Sequence, residues 1–171
     1  MKNSAKYFKD PTVIKPGAII LIEPRFAHNC GMILRLGACY CAPQVIVTGQ
    51  RIKDEVDALQ RIPREERMRN YKDVELLHCE DPFEFLSEDC VPVAMEFRPN
   101  SECLYEFEHP ENAVYIFGPE DGTLGGAILS KCHRFAKIDT LECLNLATAV
   151  ATVLYDREAK IRQGARSAVL V

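Results

Sequence analysis

No run of eighteen consecutive apolar residues occurs in the 171-residue sequence. A membrane-spanning helix needs a stretch of about that length, so no span is expected. The N-terminal MKNSAKYFKD lacks the apolar centre of a secretory leader, and the expectation is a soluble, cytoplasmic protein. The eight cysteines include no Cys-x-x-Cys pair; the nearest approach is Cys39-Tyr40-Cys41. The four histidines are scattered, and Cys132-His133 are neighbours rather than spaced ligands. Zinc sites prefer ligand pairs two to four residues apart, so no metal is expected. The thiols read instead as small buried hydrophobes. An excess of positive charge is also missing: the formal net charge is −4, which argues against a nucleic-acid surface spread over the whole chain. There is no Gly-Lys-Ser/Thr phosphate loop and no Gly-x-Gly-x-x-Gly fingerprint. Internal repeats and linkers are absent as well, and the length suits one domain.

Apolar residues make up 47% of the sequence, enough to build a core. Ala18 to Ile22 is a continuous apolar run of strand length, as in a strand covered on both faces. A loop over Glu23 to Gly31, a helix from Met32 to Tyr40 and a strand over Val45 to Thr48 complete one βαβ unit. That unit implies a parallel sheet. Further strands are expected over Val74–Cys79, Val91–Phe97, Ala113–Phe117 and Phe135–Ile138. Asp81-Pro82 should cap and open a short helix. Ser101–Phe107 and Thr123–Cys132 read as short helices, and Leu141 to about Lys160 as the last long one. The fold class that follows is α/β: a single domain with a mainly parallel sheet flanked by helices. The expected division is an N-terminal extension over 1–17, the domain over 18–160 and a tail over 161–171.

Three stretches carry chemistry, each with a plain alternative. Phe117-Gly118-Pro119-Glu120-Asp121-Gly122 is an apolar strand feeding a glycine-containing loop, a common way to bring backbone near a ligand. It is equally a tight turn, with Asp121 solvated. Arg35 among apolar residues is costly unless paired, or else lays its stem on apolar surface with the guanidinium in solvent. Asn29 and Asn145 suit a ligand contact or a helix cap. The segment Arg61-Ile-Pro-Arg64-Glu-Glu-Arg67-Met-Arg69-Asn-Tyr71-Lys72 concentrates five basic residues in twelve. It is either a basic patch or a solvated helix with internal Glu–Arg pairs.

Taken in order, Asn29-Cys-Gly-Met-Ile-Leu-Arg35, Phe117-Gly-Pro-Glu-Asp-Gly-Thr-Leu124 and Ile138-Asp-Thr-Leu-Glu-Cys-Leu-Asn-Leu-Ala147 resemble the three signatures of the SpoU (TrmH-like) RNA methyltransferases of the SPOUT superfamily. The resemblance covers roughly residues 18–160. It implies a C-terminal deep trefoil knot that binds S-adenosyl-L-methionine, and methyl transfer to a ribose 2′-hydroxyl of RNA. It further implies a homodimer with the nucleoside near the subunit boundary. Carried over by position, the catalytic group would be Asn29, Arg35, Glu120 and Asn145. The cofactor contacts would be Met95, Glu96, Gly118, Leu124, Ile138 and Leu144.

With no appended RNA-binding domain, RNA is expected to meet Arg25 and His28 together with Arg61, Arg64, Arg67, Arg69 and Lys72. Single-domain relatives make tRNA the first expected substrate and rRNA the second. The sequence departs from the signatures at Cys143, where serine is usual, and at Asp139, where proline is common. A thiol is a poorer donor than a hydroxyl. The alternative from another class is therefore a catalytically weak or silent RNA-binding or assembly protein on the same fold.

Overall fold

The computed structural model describes residues 15–54 and 73–169, with side chains to residue 164. Seven strands form one sheet: β1 Ala18–Leu21, β2 Gln44–Thr48, β3 Glu75–Cys79, β4 Val91–Met95, β5 Glu102–Cys103, β6 Ala113–Phe117 and β7 Arg134–Lys137. Their order is β3-β2-β1-β6-β4-β7-β5, and every pairing is parallel. Among the described residues they are accompanied by α1 Ala27–Tyr40, the short α2 Gly126–Leu129 and α3 Leu146–Val169.

The continuous apolar runs are explained by the layers. Alternate side chains of a strand point to opposite faces. Ile19, Leu21, Val45, Val47, Tyr115 and Phe117 therefore face a core closed by Ile33, Leu34 and Ala38 of α1 and Val150, Val153 and Leu154 of α3. Ala18, Ile20, Ile46, Ala94, Val114 and Ile116 face the other way, against Leu124, Cys132 and partly buried Phe83 and Leu86. The central strands β1 and β6 are buried along their whole length. In α3 the buried positions Val150, Val153, Leu154 and Arg157 follow the helical repeat, which places that helix on α1 and the sheet.

Several elements differ from the expectation. Helix α1 begins at Ala27, so much of the expected loop is helix, with Asn29, Cys30 and Gly31 buried in its first turns. Residues 101–107 hold no helix. Glu102–Cys103 adds an edge strand to β7, and Leu104 and Phe107 turn into the core, three residues apart as on a helix face. Helix α3 starts at Leu146 rather than Leu141, because the Asn145 side chain accepts from the amides of Ala147 (2.9 Å) and Thr148 (3.3 Å) and caps it. It continues to Val169, past the end expected near Lys160. Pro82–Phe85 is a 3₁₀ turn capped by Asp81. No disulfide is formed among the described residues; Cys30, Cys41 and Cys132 are buried, but Cys39 and Cys143 are exposed. Burial pushes the Cys30 thiol up to about 12 and Cys132 to about 11, which keeps both protonated. Among the described residues no helix is long and apolar enough to cross a membrane, and no group of three or more His, Cys, Asp or Glu is placed to hold a metal ion.

A buried polar cluster ties the 104–111 segment to α3 and β6. The His109 ring lies 2.6 Å through Nδ1 from the Tyr115 hydroxyl and 2.8 Å through Nε2 from Asp156 Oδ2. Lys160 pairs with Asp156 at 2.8 Å and donates to the carbonyls of Leu104 and Phe107. A neutral imidazole with its proton on Nε2 donates to Asp156 and accepts from Tyr115, so both nitrogens are satisfied. Burial, only partly opposed by Asp156, lowers the pKa of His109 from its ordinary value. In the unfolded chain histidine titrates near 6.5, so on acidification the unfolded state takes up this proton first. Stability from this group is therefore full above about pH 6.5 and falls as pH drops toward the lower folded value. Thermal unfolding midpoints measured from about pH 7.5 to 5 should decline, and His109→Gln should flatten that decline while starting from a lower midpoint.

Candidate active site

In parallel sheets ligands meet the carboxyl ends of the strands, where the loops diverge. Here β4, β6 and β7 end together, and the amide of Glu96 donates to the carbonyl of Ala136 at 2.9 Å. Beyond them lies a cavity of about 420 Å³, within the usual range for a small-molecule site. Its walls come from three loops and the start of α3. Met95, Glu96, Gly118, Ile138 and Leu144, five of the six positions carried over from the family resemblance, line it. Leu124 is not among its lining residues; it is buried, 2% exposed, and its amide donates to Glu96 Oε2 at 2.8 Å. Glu96 Oε1 accepts from the Phe97 amide, so this carboxylate braces the end of β4 against the loop after β6. A Cβ on Gly118 would meet the Leu124 amide nitrogen at 3.3 Å, which leaves little room for any side chain between the two loops.

Asn29, Glu120 and Asn145 come together from three distant parts of the chain. Asn29, fully buried in the first turn of α1, donates through Nδ2 to Glu120 Oε1 at 2.5 Å. Its Oδ1 accepts from Asn145 Nδ2 at 3.1 Å. The other oxygen of Glu120 accepts from the Arg25 amide at 2.7 Å. Asn145 is a helix cap, its oxygen accepting at the start of α3, while its amide nitrogen donates to Asn29. Glu120 also lines the cavity, so the network reaches the binding space through this one carboxylate.

Of the two readings of Arg35, its exposure agrees with the one that leaves the guanidinium at the surface. It lies six residues beyond Asn29, about 9 Å along the axis at 1.5 Å per residue. There it shares the exposed side of α1 with Met32 and Cys39, which are three and four residues away. Arg25 and His28 are both exposed beside the start of α1. Arg61, Arg64, Arg67, Arg69 and Lys72 fall outside the described residues.

Two parts of the site were missed. Lys137, Thr140, Glu142 and the exposed Phe97 also line the cavity; the first three flank positions carried over from the third signature. Arg51 bonds Asp121 at 2.7 Å, and Arg25 approaches the same carboxylate at 3.7 Å. The Arg51 hydrogen bond holds the Asp121 carboxyl below the usual range. Asp121 is therefore more than a solvated turn residue. The available signal was position, since Arg51 follows the carboxyl end of a parallel strand.

Apolar walls beside main-chain groups at the loop ends suit a flat heteroaromatic group joined to a polar chain. The Lys137 ammonium and Glu142 carboxylate among the lining residues can meet charges at its polar end.

A model described as the SpoU rRNA Methylase family matches residues 16–155. The sequence has no match among curated proteins. Among solved structures, the TrmH/SpoU tRNA modifying enzyme of A. aeolicus superposes with a TM-score of 0.74 at 15% identity, covering 94% of this chain and 83% of its own. A structure described as giving insights into the 2-OH methylation of C/U34 on tRNA superposes at 0.66 with 23% identity, covering 85% and 96%. AviRb from Streptomyces viridochromogenes, in complex with AdoMet, superposes at 0.65 with 18% identity; 88% of this chain covers 61% of that one.

Proposed function

Because the chain belongs to the SpoU rRNA methylase family, we propose that it is an S-adenosylmethionine-dependent methyltransferase acting on a ribose 2′-hydroxyl of RNA, with tRNA the first substrate to try. The observation that carries this reading is the Asn29–Glu120–Asn145 network, which reaches through Glu120 a cavity lined by Met95, Glu96, Gly118, Ile138 and Leu144. Met95, Phe117, Ile138, Leu144 and Leu146 would enclose the adenosyl group, and Lys137 and Glu142 the amino-acid end. When bound, S-adenosylmethionine supplies an electrophilic methyl on a sulfonium.

The chain's own residues have the remaining work: to align the hydroxyl and help its proton leave as the oxygen–methyl bond forms. Arginine keeps its proton near neutrality. Arg35 therefore serves as a donor that orients the hydroxyl and holds the adjacent phosphate, and the hydroxyl proton passes to water. Asn29, locked by Glu120 and Asn145, fixes the ribose side of the site. The exposed position of Arg35 on α1 suits a group that meets RNA, and it lies outside the cofactor cavity. In this proposal the protein is a homodimer, and exposed Met32 and Tyr155 on α1 and α3 offer apolar surface for a second copy. The loops after β6 and β7 form the knot that the resemblance implies.

Incubation with labelled S-adenosylmethionine and total RNA should yield 2′-O-methylated nucleosides on digestion. Arg35→Ala should lower transfer at least about tenfold, as expected for loss of one orienting donor. Methylated bases without methylated ribose would refute the position of transfer. The second reading, a silent RNA-binding protein, is favoured by Cys143, which lines the cavity in the usual serine's place. Calorimetry that finds no cofactor binding would decide for it.

A further inference from the structure

The exposed cluster at the start of α1 has a composition that phosphate contact alone does not explain. Phe26 is 44% exposed although it immediately precedes a well-packed helix. The Arg25 guanidinium lies 5.2 Å from its ring centre, and the His28 ring is 5.6 Å away, tilted by 33°. Arg25 is held from two sides, its amide on Glu120 and its guanidinium near Asp121. Arg51 joins from the end of β2 through the same Asp121 carboxylate, with its side chain 46% exposed. The helix start beside them has no side-chain cap and no acidic residue in its first turn. Glu120 connects this surface directly to the cavity wall.

We infer that Phe26 and Arg51, with Arg25 and His28, form a binding site for an unpaired RNA nucleotide, Phe26 stacking on its base and Arg51 contacting its phosphate. The inference rests on the RNA methyltransferase reading and narrows its substrate to single-stranded segments. The charges decide between strand and duplex. Glu23 and Glu120 act electrostatically on Arg51, and Asp121 bonds it directly. Among the described residues, three carboxylates beside two arginines leave little net positive charge, so a duplex backbone, gripped mainly by charge, gains little from them. An exposed ring flanked by a cation and an imidazole gains most from a base whose face is free, which only an unpaired nucleotide offers.

The test uses the full-length protein and a labelled oligouridine, free or annealed to its complement, with fluorescence anisotropy at several salt concentrations. The free strand should bind at least about tenfold more tightly than the duplex. Phe26→Ala should weaken strand binding roughly tenfold, a typical loss for one stacked base, and Phe26→Trp should restore it. Phe26→Leu keeps apolar bulk at the helix start but lacks the ring, so it should behave like the alanine variant. Arg51→Ala should reduce the slope of log affinity against log salt by about 0.7, the value for one phosphate contact on a single strand. Cofactor affinity by calorimetry should be unchanged in all four. The inference fails if Phe26→Ala binds the strand like the parent, if duplex binds as well, if the salt slope is unmoved, if the parent binds no strand, or if cofactor affinity falls with RNA affinity. A parent that binds the strand but not S-adenosylmethionine sinks the methyltransferase reading alone. A parent that methylates RNA yet is indifferent to Phe26 sinks this inference alone.

Discussion

Glu120→Gln is expected to lower methyl transfer to RNA by about a hundred- to a thousandfold, with cofactor affinity changed by no more than a few-fold. The carboxylate accepts from two donors, Asn29 Nδ2 on one oxygen and the Arg25 amide on the other. Glutamine has one oxygen, so its NH₂ must face one of those donors, and one bond becomes a repulsion. Asn29 is fully buried and cannot turn to water for a partner. The misfit therefore spreads through Asn29 to Asn145 and moves the groups that align the ribose. A misplacement of about 1 Å can cost a hundredfold, and loss of a positioned polar group typically costs 10²–10⁴. The cofactor walls are largely apolar side chains and loop backbone, which the substitution leaves in place. Single-turnover transfer with calorimetry on the same sample separates the two effects. A variant that transfers at nearly the parental rate would remove this network from the catalytic account.

The parts of the fold that local pattern dictates were legible. Runs such as Ala18–Leu21 and Ala113–Phe117 are apolar because both faces of the sheet are covered, and they proved to be its central strands. Pattern misled where side chains of irregular backbone imitate a helix face, as Leu104 and Phe107 do. It also misplaced the start of α1, since Asn29, Cys30 and Gly31 look like loop residues until Glu120 satisfies the buried amide. The cavity residues were placed by resemblance to a family signature, and periodicity did not contribute. Contacts such as Arg51–Asp121, 70 positions apart, have no local trace at all. For Arg35 the local pattern left two readings open, and only the fold shows that its apolar neighbours in sequence lie on other sides of α1 while the arginine is exposed.

Arg157→Ala should be the most destabilising change in α3, lowering stability by about 3 kcal/mol, from bonds to a charged donor worth roughly 1.5–3 kcal/mol each plus the cavity left behind. Arg157 is only 3% exposed, and its Nη2 donates to the carbonyls of Lys15 and Glu111, which fastens α3 to the chain before β1 and before β6. Burial lowers its pKa from the ordinary value, but an arginine stays charged, and among the described residues its Nε finds no partner. The site is thus costly to occupy and worse to vacate, because alanine strands two carbonyls and opens a void beside the segments that lead into β1 and β6. At about 2–4 °C per kcal/mol for a chain of this size, the unfolding midpoint should fall by roughly 6–12 °C. Arg157→Met fills the void without the donors and should recover part of that loss, because the buried charge goes with them. The site network lies at the other end of α3, anchored by Asn145, so cofactor binding measured well below the lowered midpoint should persist. Loss of binding in a folded Arg157→Ala protein would mean that the two ends of α3 are coupled, with His109 and Asp156 the first contacts to test for carrying that coupling.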